Sequence, residues 1–259
     1  MNIVVLVKQV PDTWAERKLS DSDKTLDRAS VDVVMNEIDE YAVEEALRIK
    51  EAQGGEVTIL TMGPDRAVET IRKALSMGAD KAVHLVDDAL KGSDAVQTSA
   101  ALAKVLEGLE YDLVIAGSEA TDSRMAVMGA LLSERLGQPQ LTGARKVTAE
   151  GGTVTIERQT DDGYAVVSAS TPAIISVVEK INEPRYPSFK GIMAAKSKPL
   201  ESKSLADTGL DAGTVGLAAA PSQVVEFATK PPRQAGQIVK DEGDGGSKVA
   251  EFLASQKFI

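Results

Sequence analysis

The sequence predicts an α/β fold with a doubly wound, mostly parallel sheet between two layers of helices. Through the first 140 residues, short apolar runs alternate with stretches of helical periodicity. This alternation is typical of parallel strands joined by crossover helices. An alternating segment with a turn signal adds an antiparallel hairpin. The C-terminal tail has almost no hydrophobic periodicity, and we therefore predict that it forms an extended arm.

The core elements follow in order along the chain. Apolar runs rich in aliphatic residues predict buried strands at 3–7, 57–60, 82–86, 113–116 and 173–178. Helical patterns cover 38–52, 64–77 and 95–109, and a fourth runs from 123 or 124 to 137. Asn36 is predicted to be an N-cap, with Asp39 three positions on. Asp94 and Gln97 have the spacing of a capping box.

Three segments depart from this alternation. Residues 14–35 form a polar excursion that ends in a short strand at 31–35, and residues 145–170 alternate around the turn signal at 161–163. From 199 to 246 there is almost no periodicity, before a short helix at 247–255. We therefore expect a domain at 1–198, including a loop at 182–198, and an arm at 199–259. The arm is either disordered or ordered on another chain, and its apolar final helix favours the second alternative.

Composition narrows the possible functions. The 29 basic and 39 acidic residues give a net charge of −10, which disfavours nucleic acid. The chain has no cysteine and one histidine, His84, which makes thiolate sites impossible and the usual zinc and Ser-His sites improbable. No apolar run approaches a membrane span, and no leader precedes the first strand, so we expect a cytoplasmic chain. We find no catalytic set and predict a binding protein or carrier without a metal site.

The loop at 117–124 is a candidate ligand site. It joins the carboxyl end of a buried strand to a helix, which is where open parallel sheets bind ligands. Free N–H groups at a helix start favour phosphate, and Arg124 adds a cation there. No dinucleotide-binding glycine motif follows the first strand, where residues 7–12 read Val-Lys-Gln-Val-Pro-Asp. The alternative is an ordinary surface turn with Ser123 as the N-cap.

The loop at 182–196 is a candidate surface for partner recognition. Its prolines, glycine and cations argue against a core element, yet it carries Tyr186, Phe189, Ile192 and Met193 in a chain with only 3% aromatic residues. The alternative is that Phe189 and Ile192 fold back under the loop.

At these residues the chain resembles the beta subunit of electron transfer flavoprotein. The resemblance covers essentially the whole length and rests on several motifs in order. They are residues 7–12, 35–36 with 41–51, 63–64 with 69–80, 112–117, 171–175, and 182–186 with Ile192 and Met193.

The resemblance implies a Rossmann-like fold of the adenine nucleotide alpha hydrolase type and an alpha-beta heterodimer. In such a heterodimer the beta subunit holds a structural AMP, and the alpha subunit holds most of the redox FAD. Partner recognition would use Arg185, Tyr186, Phe189, Ile192 and Met193. Acyl-CoA dehydrogenases of fatty acid oxidation would deliver electrons, which pass to a membrane quinone oxidoreductase. The AMP residues carried over by position are Leu6, Asn36, Glu37, Ile38, Asp39, Met62, Gly117, Ser118, Glu119, Ala120, Thr121, Asp122, Ser123, Arg124, Met125, Ala126, Val127 and Met128.

The chain departs from the family pattern at a few positions. Val127 and Met128 precede Gly129 where side-chain donors are usual, so phosphate contacts would fall to backbone N–H groups, Ser123 or Arg124. Gln159 replaces an often acidic residue, and residues 164–166 lack the acidic or amide residue usual there. Two alternatives stay open: a bifurcating or nitrogen-fixation-type relative with a second FAD in this subunit, and a stand-alone adenine-nucleotide module.

Overall fold

The computed structural model describes residues 1–233, 235–236 and 238–259. In these residues a nine-stranded sheet has the order β11-β5-β4-β1-β6-β10-β7-β8-β9, and a small antiparallel sheet pairs β2 with β3. The strands are β1 (Ile3–Leu6), β2 (Gln9–Pro11), β3 (Val33–Met35), β4 (Val57–Met62), β5 (Lys81–Leu85), β6 (Leu113–Gly117), β7 (Gln140–Glu150), β8 (Thr153–Thr160), β9 (Gly163–Ser170), β10 (Ala173–Val177) and β11 (Leu200–Lys203). Seven strands, from β11 to β7, run parallel. The predicted fold class is confirmed.

The helices are α1 (Glu37–Gln53), α2 (Val68–Met77), α3 (Ala95–Leu106), α4 (Met128–Leu136), α5 (Phe189–Ala195) and α6 (Gly245–Ser255). The first two cover one face of this sheet, and α3 and α4 cover the other. Alternate residues of β1 explain the two layers, because successive side chains of a strand point to opposite faces. Ile3 and Val5 join the core under α1 and α2, whereas Val4 and Leu6 join the core under α3 and α4.

The antiparallel part of the sheet is larger than a hairpin. β7 pairs with β8 and β8 with β9, both antiparallel, so three strands extend the sheet beyond β10. The predicted turn at 161–163 connects β8 to β9. The prediction of antiparallel strands is therefore confirmed, but the structure has three such strands where a hairpin has two.

The fourth helix starts later than predicted. α4 begins at Met128 with Val127 at the N-cap position, so Ser123 is not its cap and Arg124 does not lie in its first turn. Arg124 and Ala126 have φ angles of 50° and 55°, in the left-handed region. Such residues interrupt a right-handed helix, and the loop at 117–128 therefore stays irregular.

The C-terminal segment divides at a different residue from the one predicted. β11 pairs in parallel with β5, and Leu205, Val215 and Ala220 are buried. The first compact unit is therefore Met1–Val225 and the second is Glu226–Ile259. Residues 199–225, which the sequence assigns to the arm, belong to the first unit. Within the second unit, the predicted final helix is present as α6.

No helix in the described parts of the chain combines the length and the apolar character needed to cross a bilayer.

Candidate functional site

Three neighbouring strands end together at one edge of the sheet. In the register of the sheet, Leu6 of β1 lies opposite Leu60 of β4 and Ala116 of β6. The chain leaves these strands at Val7, at Gly63 and at Ser118. Carboxyl ends of parallel strands are where open α/β sheets bind ligands. Leu6, Met62 and the loop at 117–128 are thereby brought to one edge.

Asn36 joins the start of α1 to this loop. Its side chain is buried; Nδ2 donates to Glu119 O at 2.9 Å and to Asp39 Oδ1 at 3.0 Å. Its Oδ1 accepts from the backbone N–H of Thr121 at 3.0 Å. Asn36 occupies the N-cap position of α1 but makes no side-chain bond to the N–H groups of its own helix. The predicted N-cap position is confirmed, but the side chain bridges to a loop distant in sequence instead of bonding to the helix.

Asp39 ties two strand ends together. Its buried carboxyl accepts from the backbone N–H of Lys8 at 2.8 Å and of Gly117 at 3.3 Å. A Cβ at position 117 would lie 2.5 Å from Asp39 Oδ1, so only glycine allows this approach. Burial raises the pKa of Asp39 to about 7, although three hydrogen bonds oppose the shift.

Asp122 connects the loop to the polar excursion. Its side chain is 1% exposed and lies between two cations, Lys8 Nζ at 2.8 Å and Arg28 NH2 at 2.5 Å. Burial alone would raise the pKa of Asp122, but the charges and hydrogen bonds of Lys8 and Arg28 outweigh it and lower the pKa. Arg28 thus fixes residues 14–35 against the loop. Neither Lys8 nor Arg28 was singled out from the sequence, where no local pattern links them to Asp122.

The loop offers unpaired polar groups next to these fixed points. Thr121 Oγ1 is buried and has no hydrogen-bond partner among the described residues. No side chain in the described part of the chain caps the start of α4. The first backbone N–H groups of a helix have no partner within the helix, so they can donate to a ligand. Ser123 and Arg124 are exposed. A hydroxyl or phosphate of a ligand would satisfy such groups.

A cleft of about 890 Å³ opens on the other side of the loop. Ile38, Ser118 and Glu119 line it together with three cations from the hairpin and the strand end beyond it, Arg145, Lys146 and Lys180. The side chain of Glu37 lies elsewhere, since it accepts from Thr13 Oγ1 at 3.2 Å. The positions at 36–39 therefore do not all face one ligand.

The candidate recognition segment is a short helix with an apolar outer face. Ser188 caps α5 by accepting from the N–H of Gly191 at 3.0 Å. Tyr186 is 95% exposed and Phe189 81% exposed, and Ile192 and Met193 are exposed beside them. Phe189 and Ile192 do not fold back under the loop.

Arg185, in contrast, is held by its own chain. Its guanidinium makes a two-point contact with Glu44, at 2.7 and 2.9 Å, and another with Glu51, at 2.5 and 3.1 Å. Glu44 is buried on α1. Paired Arg–carboxylate contacts of this geometry fix orientation as well as charge. Arg185 therefore anchors the start of the loop to α1.

His84 lies buried in β5, where its Nε2 is 3.0 Å from the carbonyl oxygen of Gly63. Burial lowers its pKa and thereby favours the neutral ring.

Comparison with known proteins decides the family. The electron transfer flavoprotein domain matches residues 23–208. This chain belongs to the electron transfer flavoprotein family. The electron transfer flavoprotein subunit beta of Mycobacterium tuberculosis (strain ATCC 25618 / H37Rv) is 56% identical over 264 residues, covering 100% of this chain and 99% of the relative. The subunit beta of Thermoanaerobacterium thermosaccharolyticum is 42% identical over 240 residues, covering 92% of each.

A further relative carries a different printed name. The caffeyl-CoA reductase-Etf complex subunit CarD of Acetobacterium woodii is 38% identical over 258 residues, covering 99% of this chain and 97% of the relative. The other two relatives both carry the name electron transfer flavoprotein subunit beta. The family resemblance inferred from the motifs is confirmed.

The resemblance predicts a nucleotide site at the edge of the sheet described above, and the structure brings several of the predicted residues together there. The structure joins Asn36, Asp39, Gly117, Glu119 and Thr121 by hydrogen bonds. Met125 and Ala126 are exposed, while Val127 and Met128 are half-buried at the start of α4. The phosphate contacts predicted for backbone N–H groups would therefore be made at that helix start.

Proposed function

We propose that this chain is the beta subunit of a heterodimeric electron transfer flavoprotein. It would bind AMP as a structural nucleotide, pair with an alpha subunit that holds most of the FAD, and dock acyl-CoA dehydrogenases. Electrons would then pass on to a membrane quinone oxidoreductase. FAD supplies the redox chemistry when bound; the residues of this chain bind, orient and dock.

One observation carries the nucleotide assignment. The buried hydroxyl of Thr121 lacks a partner among the described residues, and it lies in the loop that Asn36 and Asp122 hold at the strand ends. A buried polar group without a partner is costly unless a ligand or water satisfies it. An adenine nucleotide offers hydroxyl, phosphate and ring nitrogen atoms for this purpose, and the uncapped start of α4 suits its phosphate. The residues present therefore fit AMP.

The second candidate is a bifurcating subunit that binds a second FAD. Two observations favour it: the similarity to the subunit of the Acetobacterium woodii complex, and the cleft of about 890 Å³ that shares Ser118 and Glu119 with the nucleotide loop. Arg145 and Lys146 line this cleft as ion pairs with Glu157, so it is the volume of the cleft, and not its charge, that suits a larger dinucleotide.

The deciding experiment identifies the bound nucleotides. The chain is co-expressed with its alpha subunit, the heterodimer is denatured, and the released nucleotides are separated and quantified. We expect one FAD and one AMP per heterodimer. Two FAD and no AMP would establish the bifurcating alternative. A monomer that binds a nucleotide alone and does not associate with the alpha subunit would establish the stand-alone module.

A further inference from the structure

The inner face of α5 lies directly against the backbone of α2. Ala195 is buried, and a Cβ added at Gly191 would lie 2.4 Å from the carbonyl oxygen of Ser76. Gly191 and Ala195 are four residues apart, so they lie on one face of the helix. Phe189 and Met193, which are also four residues apart, lie on the opposite side, and Ile192 is 47% exposed at the edge between the two faces.

Two cationic side chains connect these segments by hydrogen bonds, one side chain from α2 and one from the residues after α5. Arg72 of α2 donates from NH1 to the carbonyl oxygens of Ala195, at 2.5 Å, and Lys198, at 3.2 Å. Lys198, which follows α5, donates from Nζ to the carbonyl oxygens of Leu75, at 2.8 Å, and Ala79, at 2.5 Å. Carbonyls at helix C-termini lack partners within the helix and carry partial negative charge, so cations stabilise them. Each segment therefore supplies hydrogen-bond donors to backbone carbonyl groups near the C-terminal end of the other helix.

The recognition segment is thus held at both ends. Arg185 fixes its start to α1 through Glu44 and Glu51, and the pair Arg72 and Lys198 fixes its end to α2. No exposed apolar side chain of α5 takes part in these contacts. The residues that anchor the segment are therefore different from the apolar residues that it exposes. The exposed residues can then contact a partner while the segment stays ordered, as a preformed docking element requires.

We propose that Arg72 and Lys198 are positioning residues that clasp α5 onto α2 and hold its apolar face ready for an acyl-CoA dehydrogenase. This inference rests on the docking role proposed above. A segment that is ordered before binding loses less conformational entropy when it docks. The clasp should therefore lower the KM for the dehydrogenase, whereas kcat, which is set after docking, should not depend on it.

The test uses the intact heterodimer with its flavin. In Arg72→Met the two hydrogen bonds to Ala195 and Lys198 are lost. Gly191→Ala keeps every charge but forces α5 away from Ser76. Arg72→Lys restores a cation and is expected to recover part of the effect. Lys104→Met is the matched control, because Lys104 lies on α3 and, within the part of the chain that the structure describes, pairs only with Glu107.

Two measurements are made on each variant. Hydrogen exchange reports the order of α5 directly, and steady-state kinetics use a purified acyl-CoA dehydrogenase, reduced by its acyl-CoA, as the varied reactant. For Arg72→Met and Gly191→Ala we expect faster amide exchange in 189–195 and a KM raised about five- to tenfold at unchanged kcat. Lys104→Met should change neither measurement.

Either of two results would overturn the proposal. Unchanged exchange in 189–195 in both Arg72→Met and Gly191→Ala would show that the contact with α2 does not order α5. Faster exchange with unchanged KM would show that this order does not serve docking. In that second case Phe189→Ala separates the two claims: a raised KM leaves the docking role standing without the clasp, and an unchanged KM removes both.

Discussion

Asp39 is a buried acid among backbone donors, and this makes stability depend on pH. Its pKa rises from 3.8 to about 7 because burial disfavours the charged carboxylate. The folded chain therefore holds this proton more tightly than the unfolded chain does. The contribution of Asp39 to folding is fully present below about pH 4 and is lost as the pH rises through about 7.

We expect Asp39→Asn to flatten the pH dependence of the melting temperature of the heterodimer. Between pH 5 and 8 the parent should lose a few degrees more than the variant, since about 1 kcal/mol corresponds to roughly 2–4 °C in a domain of this size. Circular dichroism at several pH values measures this. Parallel curves for the two proteins would show that Asp39 does not titrate in this range.

Phe189 is the residue on which the docking proposal depends most. Its side chain is 81% exposed at the first position of a capped helix, so its removal changes the surface but not the fold. We expect Phe189→Ala to raise the KM for an acyl-CoA dehydrogenase about tenfold, the usual loss for an apolar anchor. Flavin content and heterodimer assembly should stay intact. Val96→Ala, an exposed position on α3, is the control; equal kinetics for both variants would contradict docking through Phe189.

At the scale of elements, Asp94 serves two segments at once. One carboxylate oxygen accepts from the N–H of Gln97 at 3.0 Å and completes the predicted capping box of α3. The other accepts from the N–H and hydroxyl of Ser222, at 3.1 and 2.9 Å. The end of the first compact unit is thereby attached to the start of α3.

We expect Asp94→Ala to lower the free energy of unfolding by about 1–2 kcal/mol, the usual cost of losing an N-cap. Ser222→Ala removes only the attached hydroxyl and should cost less than about 1 kcal/mol. The midpoints of urea unfolding compare the two variants. Equal losses would mean that the contact with Ser222, and not the cap, dominates.

Local signals explain which elements could be predicted from the sequence. The capping box at Asp94 was readable because both partners lie within four residues. The bridging role of Asn36 was not, since its acceptor and donor at Glu119 and Thr121 lie more than 80 residues away. β11 was missed because its central residues, Glu201 and Ser202, are exposed and give no apolar pattern. The late start of α4 could not be predicted, because the two residues with left-handed φ angles before it, Arg124 and Ala126, are not glycines.

At the scale of the whole molecule, both segments with a proposed partner expose large apolar side chains. The second compact unit, Glu226–Ile259, exposes many large apolar side chains in a chain of net charge −10. They are Phe227, Ile238, Val239, Val249, Phe252, Phe258 and Ile259. Exposed apolar side chains in this number are typical of a segment that another chain covers. The residues that the sequence assigned to the arm therefore divide into two parts: those up to Val225 belong to the first unit, and for those beyond it we propose a contact with the alpha subunit.

A truncation after Val225 tests this division. Because the first unit has its own core, we expect the shortened chain to keep its circular dichroism spectrum and nearly its melting temperature. The dissociation constant for the alpha subunit should rise at least about tenfold, since several apolar anchors are lost together. Sedimentation of the mixed subunits measures this constant. Phe252→Asp in the full-length chain is the matched variant, because it keeps the length of the arm and places a charge on the apolar face of α6. If both changes left the dissociation constant as it is in the parent, the arm would have no part in the subunit interface.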